Sequence, residues 1–151
     1  MRHVLILTLT LVAAPAFADA PLFLLDQTQL PFDLGPGDPQ NSPARQSNSP
    51  NAAANSQARP ANRSSTYANS PANPANEKRV IITPDGDIVG FYTPNGSGTL
   101  NLFDVNGKRV AYRPKASKSL FSNRGKWCGT VADSNGGGYA FGMIRECVSL
   151  F

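Results

Sequence analysis

The second half of the chain alternates short apolar runs with polar turns. From Lys78 the sequence reads KRVIITPDGDIVGFYTPNGSGTLNLFDVNGKRVAYRP, and its apolar side chains tend to recur at every second position, as they do on a half-buried strand. Turn signals rich in Asn, Asp and Gly punctuate these runs at 84–86, 95–96, 106–107, 123–125 and 135–138. Strands are therefore predicted near 79–83, 87–92, 98–103, 108–113, 126–132 and 139–149.

Short strands joined by turns at this spacing are typical of an antiparallel meander. We predict an all-β fold of about six strands that closes into a small barrel or sandwich. The phrase Thr-Pro-Asp-Gly at 83–86 recurs as Thr-Pro-Asn-Gly at 93–96, and we interpret both copies as turns.

The alternation also assigns side chains to faces. Leu100 and Leu102 should point to one side of their strand, and Arg109 and Arg113 should share a face of the next strand, opposite Val110. The two arginines would then be exposed together.

Residues 1–18 have the pattern of a signal peptide. Arg2 and His3 precede an apolar run that ends at Val12, and Ala16-Phe17-Ala18 supplies the small residues of a cleavage site. The run is too short for a membrane span, which needs roughly 20 residues. Export to a periplasmic or extracellular location is expected.

The segment 19–34 concentrates apolar side chains at the new N-terminus, in APLFLLDQTQLPFDL from residue 20. An apolar segment of this length needs a partner. Residues 20–34 could add a strand to the protein's own sheet or dock on another protein.

Residues 35–77 differ in composition from the rest of the chain. Ala, Asn, Ser and Pro fill 31 of the 43 positions, and Ile, Leu and Val are absent. Such a composition offers little apolar surface to offset the entropy of an ordered backbone, so a disordered linker is predicted, followed by an autonomous β domain at 78–151.

The chain contains two cysteines, Cys128 and Cys147. Export to an oxidising compartment predicts a disulfide between them. A metal site is not expected, because two thiols are half of a zinc ligand set and the single histidine, His3, would leave with the signal peptide.

The loss of His3 also removes Ser-His-Asp and Cys-His catalysis. A pair of catalytic carboxylates would have to come from Asp85, Asp87, Asp104, Asp133 and Glu146. The four aspartates fall in or beside predicted turns, where carboxylates bond to local backbone. No enzymatic activity and no cofactor are predicted.

Positive charge is concentrated in the second half. Residues 78–151 hold ten Lys or Arg and five Asp or Glu, a net charge of +5, and seven basic residues fall between Asp104 and Asp133 with no acid among them. The predicted binding surface comprises Arg109, Arg113, Lys115, Lys118, Arg124 and Lys126. Tyr112, Phe121 and Trp127 are candidate stacking surfaces beside it.

These features favour an exported, non-enzymatic β module that binds an anionic glycan, polymer or lipid head group of the cell envelope. No nucleic acid and no transmembrane span are expected. The alternative is a secreted inhibitor or docking protein that binds another protein through a loop of the β module or through residues 20–34.

Overall fold

A computed structural model describes residues 21–26, 37–133 and 139–151. The expected signal peptide, the rest of segment 19–34 and the turn predicted at 135–138 lie outside these residues. The elements are β1 (Leu22–Asp26), β2 (Val80–Ile82), β3 (Ile88–Pro94), β4 (Leu100–Asp104), β5 (Arg109–Arg113), β6 (Ser119–Ser122), β7 (Trp127–Asp133), β8 (Tyr139–Met143) and α1 (Arg145–Val148).

The eight strands form a closed barrel in chain order. Strands β2 to β8 are an antiparallel meander, and β1 pairs in parallel with both β2 and β8. A meander with an odd number of strands begins and ends in the same direction, so its edges cannot pair antiparallel. Strand β1 fills that seam and leaves the barrel without an open edge.

The barrel interior is apolar and draws on every strand. Its buried residues include Leu22, Ile81, Tyr92, Leu102, Val110, Leu120, Val131 and Phe141. On β1, Leu22 and Leu24 are buried while Phe23 is half exposed, as the period of two requires. The described part of the 20–34 segment therefore adds a strand to the protein's own sheet.

Four of the hairpin connections share one geometry. The backbone N–H of the first turn residue donates to the carbonyl four residues later, and its carbonyl accepts from the N–H of a glycine three residues later. This glycine has a positive φ in each turn: Gly86, Gly98, Gly107 and Gly125. This is a three-residue hairpin loop whose left-handed position favours glycine. The repeated Thr-Pro phrases are out of register with each other, because Thr83 begins its turn whereas Thr93 and Pro94 still belong to β3 and Asn95 begins the next turn.

The predicted all-β barrel is confirmed, with eight strands instead of about six. The two additional strands are β1 and the short β6, and residues 145–148 are helical instead of extended. Because β1 lies in the barrel, residues 78–151 supply seven of its eight strands. None of the helices in the described part of the chain is both long and apolar enough to cross a bilayer.

The predicted Cys128–Cys147 disulfide is confirmed and joins β7 to α1. Next to it, Gly129 fits only because it has no side chain: a Cβ there would lie 1.9 Å from the Gly142 carbonyl oxygen. The disulfide holds the C-terminal turn against β7, and the close approach of Gly129 to Gly142 brings the backbones of β7 and β8 together.

The structure differs from the sequence expectation at residues 37–77, which we call the strap. Where composition predicts a disordered linker, the strap follows a path of repeated turns with a period of seven residues. One buried asparagine per period forms the Asn row: Asn41, Asn48, Asn55, Asn62, Asn69 and Asn76. Each donates its backbone N–H to the carbonyl three residues earlier, at 2.8 to 3.0 Å.

The side chains of the Asn row tie consecutive turns together. From Asn48 onward, each amide nitrogen Nδ2 donates to the carbonyls eight and six residues earlier, at 2.7 to 3.0 Å. These two carbonyls flank the preceding asparagine of the row, so each turn is bonded to the one before it. Hydrogen bonds thus order a segment that has almost no apolar core.

The same asparagines attach the strap to the outside of the barrel. The Oδ1 atoms of all but Asn48 accept hydrogen bonds, from Ser119, Thr99, Asn101, Thr93 and Arg79 in chain order of the acceptors. The hydroxyl of Tyr112 donates to the Asn48 carbonyl at 2.6 Å. The strap is therefore the crossover between the parallel strands β1 and β2, and it covers the outer face of β3 to β6.

Candidate functional site

The structure does not bring the six predicted basic residues onto one exposed surface. Lys115, Lys118, Arg124 and Lys126 are exposed, as expected. Arg109 and Arg113 are 7% and 9% exposed, so they are buried. The expectation that the two arginines form an exposed basic face is therefore wrong.

A β-bulge explains the difference. Arg113 pairs with Leu100 and Arg109 pairs with Phe103, but the register shifts between Leu102 and Phe103, so β5 carries one extra residue. Since Leu100 faces the interior and Phe103 the outside, the bulge places the two arginines on opposite faces of β5. Arg113 donates Nε–H to the Ser117 carbonyl oxygen at 2.5 Å.

Arg109 lies on the outer face of β5, beneath the strap. Its Nε donates to Asn101 Oδ1 at 2.8 Å and its Nη1 to Asn123 Oδ1 at 3.4 Å, and its guanidinium carbon lies 4.9 Å from the centroid of the Tyr112 ring. None of these partners is a carboxylate. Nη2 is buried and is the single side-chain polar atom with no hydrogen-bond partner among the buried atoms of the described residues.

Burial changes the ionisation of this pair. It lowers the pKa of Arg109 from its ordinary value to about 10, and the interaction with Tyr112 opposes part of that change. Burial also raises the pKa of Tyr112 from 10.0 to about 12, against the effect of the Arg109 charge. At neutral pH Arg109 is therefore a charged and largely buried group, and none of its partners among the described residues is an anion.

Two cavities have Arg109 and Gln57 in their walls, and we call them together the basic cleft. The first, about 300 Å³, is lined by Gln57, Asn62, Arg63, Ser64, Ser65, Gly107 and Arg109. The second, about 550 Å³, is lined by Gln57, Lys108, Arg109, Val110, Ser122, Asn123, Arg124, Lys126, Glu146, Cys147 and Leu150. Among the described residues, five cationic side chains and one carboxylate, that of Glu146, line the basic cleft.

Of the predicted residues, the basic cleft unites Arg109, Arg124 and Lys126. Lys115 and Lys118 lie elsewhere, at a smaller cavity of about 120 Å³ that also contains Arg45 of the strap. The predicted surface is thus divided between two sites. Arg113 lines neither of them.

The three predicted stacking residues are part of the protein's own packing. Tyr112 and Phe121 are fully buried with ring centroids 5.9 Å apart, and Trp127 is 6% exposed and donates its indole N–H to Ser119 Oγ. None of these rings offers an open face to a ligand.

The chemistry of the basic cleft is that of charge and hydrogen-bond donation. Guanidinium and ammonium groups from Arg63, Lys108, Arg124 and Lys126 surround it, and Ser and Gln side chains add neutral donors. In the part of the chain that the structure describes, no three His, Cys, Asp or Glu side chains are grouped so as to hold a metal ion. The cleft is suited to holding an anion.

In comparisons with known proteins, no family model, no curated protein and no solved structure matches this chain.

Sequence reasoning missed the contribution of the strap to the site. The segment expected to be disordered contains four of the lining residues, Gln57, Arg63, Ser64 and Ser65. Lys108 contributes to the net charge of the second half but is not part of the predicted binding surface. The signal that could have found them is the asparagine at every seventh residue, which indicates a repeat and hence an ordered structure.

Proposed function

We propose that this protein is exported and binds an anionic partner of the cell envelope, without catalysis, through the basic cleft. The partner is a glycan, a polymer or a lipid head group that carries phosphate, sulfate or carboxylate groups. The observation that supports this most strongly is Arg109, a buried cation whose contacts among the described residues include no carboxylate. It lies in the wall shared by two cavities with four further cations.

A buried charge without a counterion is costly to a fold. An anion in the basic cleft would offset that cost through Coulomb attraction, which is stronger in a partly desolvated site than in water. The protein would then be more stable with its ligand than without it.

Export is supported by the pattern of residues 1–18, and the Cys128–Cys147 disulfide is consistent with an oxidising compartment. The absence of catalysis is proposed because Glu146 is the single carboxylate among the described residues that line the cleft, and His3 is the single histidine of the chain. A general acid and base pair is not assembled in this cleft.

The experiment that tests the proposal measures binding to a sulfated glycan, a teichoic-type polymer and phosphatidylglycerol vesicles. At low salt, the double variant Arg124→Gln/Lys126→Gln should bind the recognised polyanion about three- to thirtyfold more weakly, as expected for two partly exposed ion pairs. Affinity should also fall as salt rises, because binding displaces counterions.

The matched control is Lys115→Gln/Lys118→Gln, which removes the same charge outside the basic cleft. It should retain the affinity of the parent. Equal losses in the two double variants would mean that net charge alone attracts polyanions, and no binding to any of the three probes by the parent would overturn the proposal.

A further inference from the structure

The strap departs from its own repeat at one place. The three residues after each asparagine of the row are Ser-Pro-Ala after Asn41 and Asn69, Ser-Pro-Asn after Asn48 and Ser-Gln-Ala after Asn55. After Asn62 all three positions differ, because Arg63, Ser64 and Ser65 stand there. At the end of the strap, Asn76 is followed by the residues that lead into β2.

The altered positions lie together at the smaller cavity of the basic cleft. Arg63, Ser64 and Ser65 line it, and so does Gln57, which replaces proline in the preceding turn. Replacing proline with Gln or Ser adds a backbone N–H and a polar side chain where the other turns have neither. The change therefore adds hydrogen-bond donors at the point where the strap faces Arg109.

The hydroxyl donors at the altered positions are not used by the fold. In the other turns, the serine that follows the asparagine accepts a hydrogen bond from the amide two residues later, as Ser42, Ser49, Ser56 and Ser70 do. The hydroxyls of Ser64 and Ser65 have no hydrogen-bond partner among the described residues. Arg63 bonds to the carbonyls of Gln57 and Ala58 and keeps its positive charge beside the cavity.

We propose that Arg63, Ser64 and Ser65, with Gln57, form an oxyanion subsite that faces Arg109 and holds one sulfate, phosphate or carboxylate group of the ligand. The inference rests on the proposed function. It assigns the contact with one charged group of the ligand to the smaller cavity of the basic cleft. An oxyanion here receives hydrogen bonds from neutral hydroxyl and amide donors and lies near two guanidinium charges. Arg109 contributes chiefly through its charge, since Nη2 is covered by surrounding atoms.

The test restores the repeat. The variant Arg63→Ser/Ser64→Pro/Ser65→Ala has the Ser-Pro-Ala sequence that the strap already carries at 42–44 and 70–72, so the turn should be retained. Sulfate, phosphate and acetate are titrated into the full chain at constant ionic strength, and the thermal midpoint is followed. The parent should show saturable stabilisation by at least one of these anions, and the restored variant should bind that anion about tenfold more weakly, as for the loss of a charge-assisted hydrogen bond.

The variant Arg45→Ser is the control, since it also removes one strap cation but lies outside the basic cleft. It should bind like the parent, and the general effect of sulfate on stability should be the same in all three proteins. The anion that stabilises the parent identifies the group that the subsite holds: acetate represents a carboxylate, and phosphate and sulfate represent themselves. Equal anion binding by the parent and the restored variant would overturn the subsite, as would a parent that binds the polymer but none of the three anions. A parent that binds neither would overturn the proposed function as well.

Discussion

Replacing Asn55 with Ala should lower the free energy of unfolding by about 2 to 4 kcal/mol, although the residue lies in a segment with almost no apolar side chains. Asn55 is 1% exposed, donates to the carbonyls of Ser47 and Ser49 at 2.8 and 3.0 Å, and accepts from Thr99 Oγ1 at 2.9 Å. The substitution leaves these three groups without their partner.

Asn51→Ala provides the matched control for this prediction. Asn51 is in the same strap and is exposed, and alanine already stands at the equivalent position of other repeats, as in Ala44 and Ala72. Its loss should change stability by no more than about 0.5 kcal/mol.

Asn55→Asp separates hydrogen bonding from packing. It keeps the volume of the side chain but replaces the donating amide with a carboxylate oxygen that faces two carbonyls. It should be at least as destabilising as alanine in urea denaturation. Similar stability of the Asn55→Ala and Asn51→Ala proteins would show that the Asn row does not hold the strap.

Reduction of the Cys128–Cys147 disulfide should destabilise the protein by about 3 kcal/mol, which is the chain-entropy estimate for a loop of this length. The sequence separation is 19 residues, and both cysteines are almost fully buried. For a protein of this size the thermal midpoint should fall by about 10 to 15 °C.

The double variant Cys128→Ala/Cys147→Ala should match the reduced protein and should not respond to reductant. Mass spectrometry confirms the state of the thiols in each sample. An unchanged midpoint after complete reduction would contradict the prediction and would show that packing alone holds α1 against β7.

The barrel was predictable because its signals are local. Apolar alternation and the glycines of the turns at Gly86, Gly107 and Gly125 mark most of the strands directly. Strand β1 could not be placed, because an apolar segment far from the meander in sequence can pair with its own sheet or with another protein. Strand β6 was missed because the bends around it contain as many polar residues as an ordinary loop.

The candidate site was less predictable, for two physical reasons. The alternation of side chains between the two faces is interrupted at a β-bulge. No residue type in β5 indicates the extra position that places Arg109 and Arg113 on opposite faces. In the strap, the prediction of disorder rests on amino-acid composition and does not use the order of the residues. Asparagine is also a residue usually found at the surface. Burial of the Asn row depends on carbonyls supplied by the adjacent turns, which become apparent only when the period of seven is recognised.

The most direct test of this account is the behaviour of the strap asparagine side chains in solution. In ¹⁵N-labelled protein, the side-chain amide protons of the Asn row from Asn48 onward should have dispersed resonances and exchange slowly with solvent, since they are bonded to backbone carbonyls. Those of Asn51, which is exposed, should exchange rapidly. If the amides of the Asn row instead share the chemical shifts and exchange rates of Asn51, the strap is not docked on the barrel, and the basic cleft that depends on it does not form.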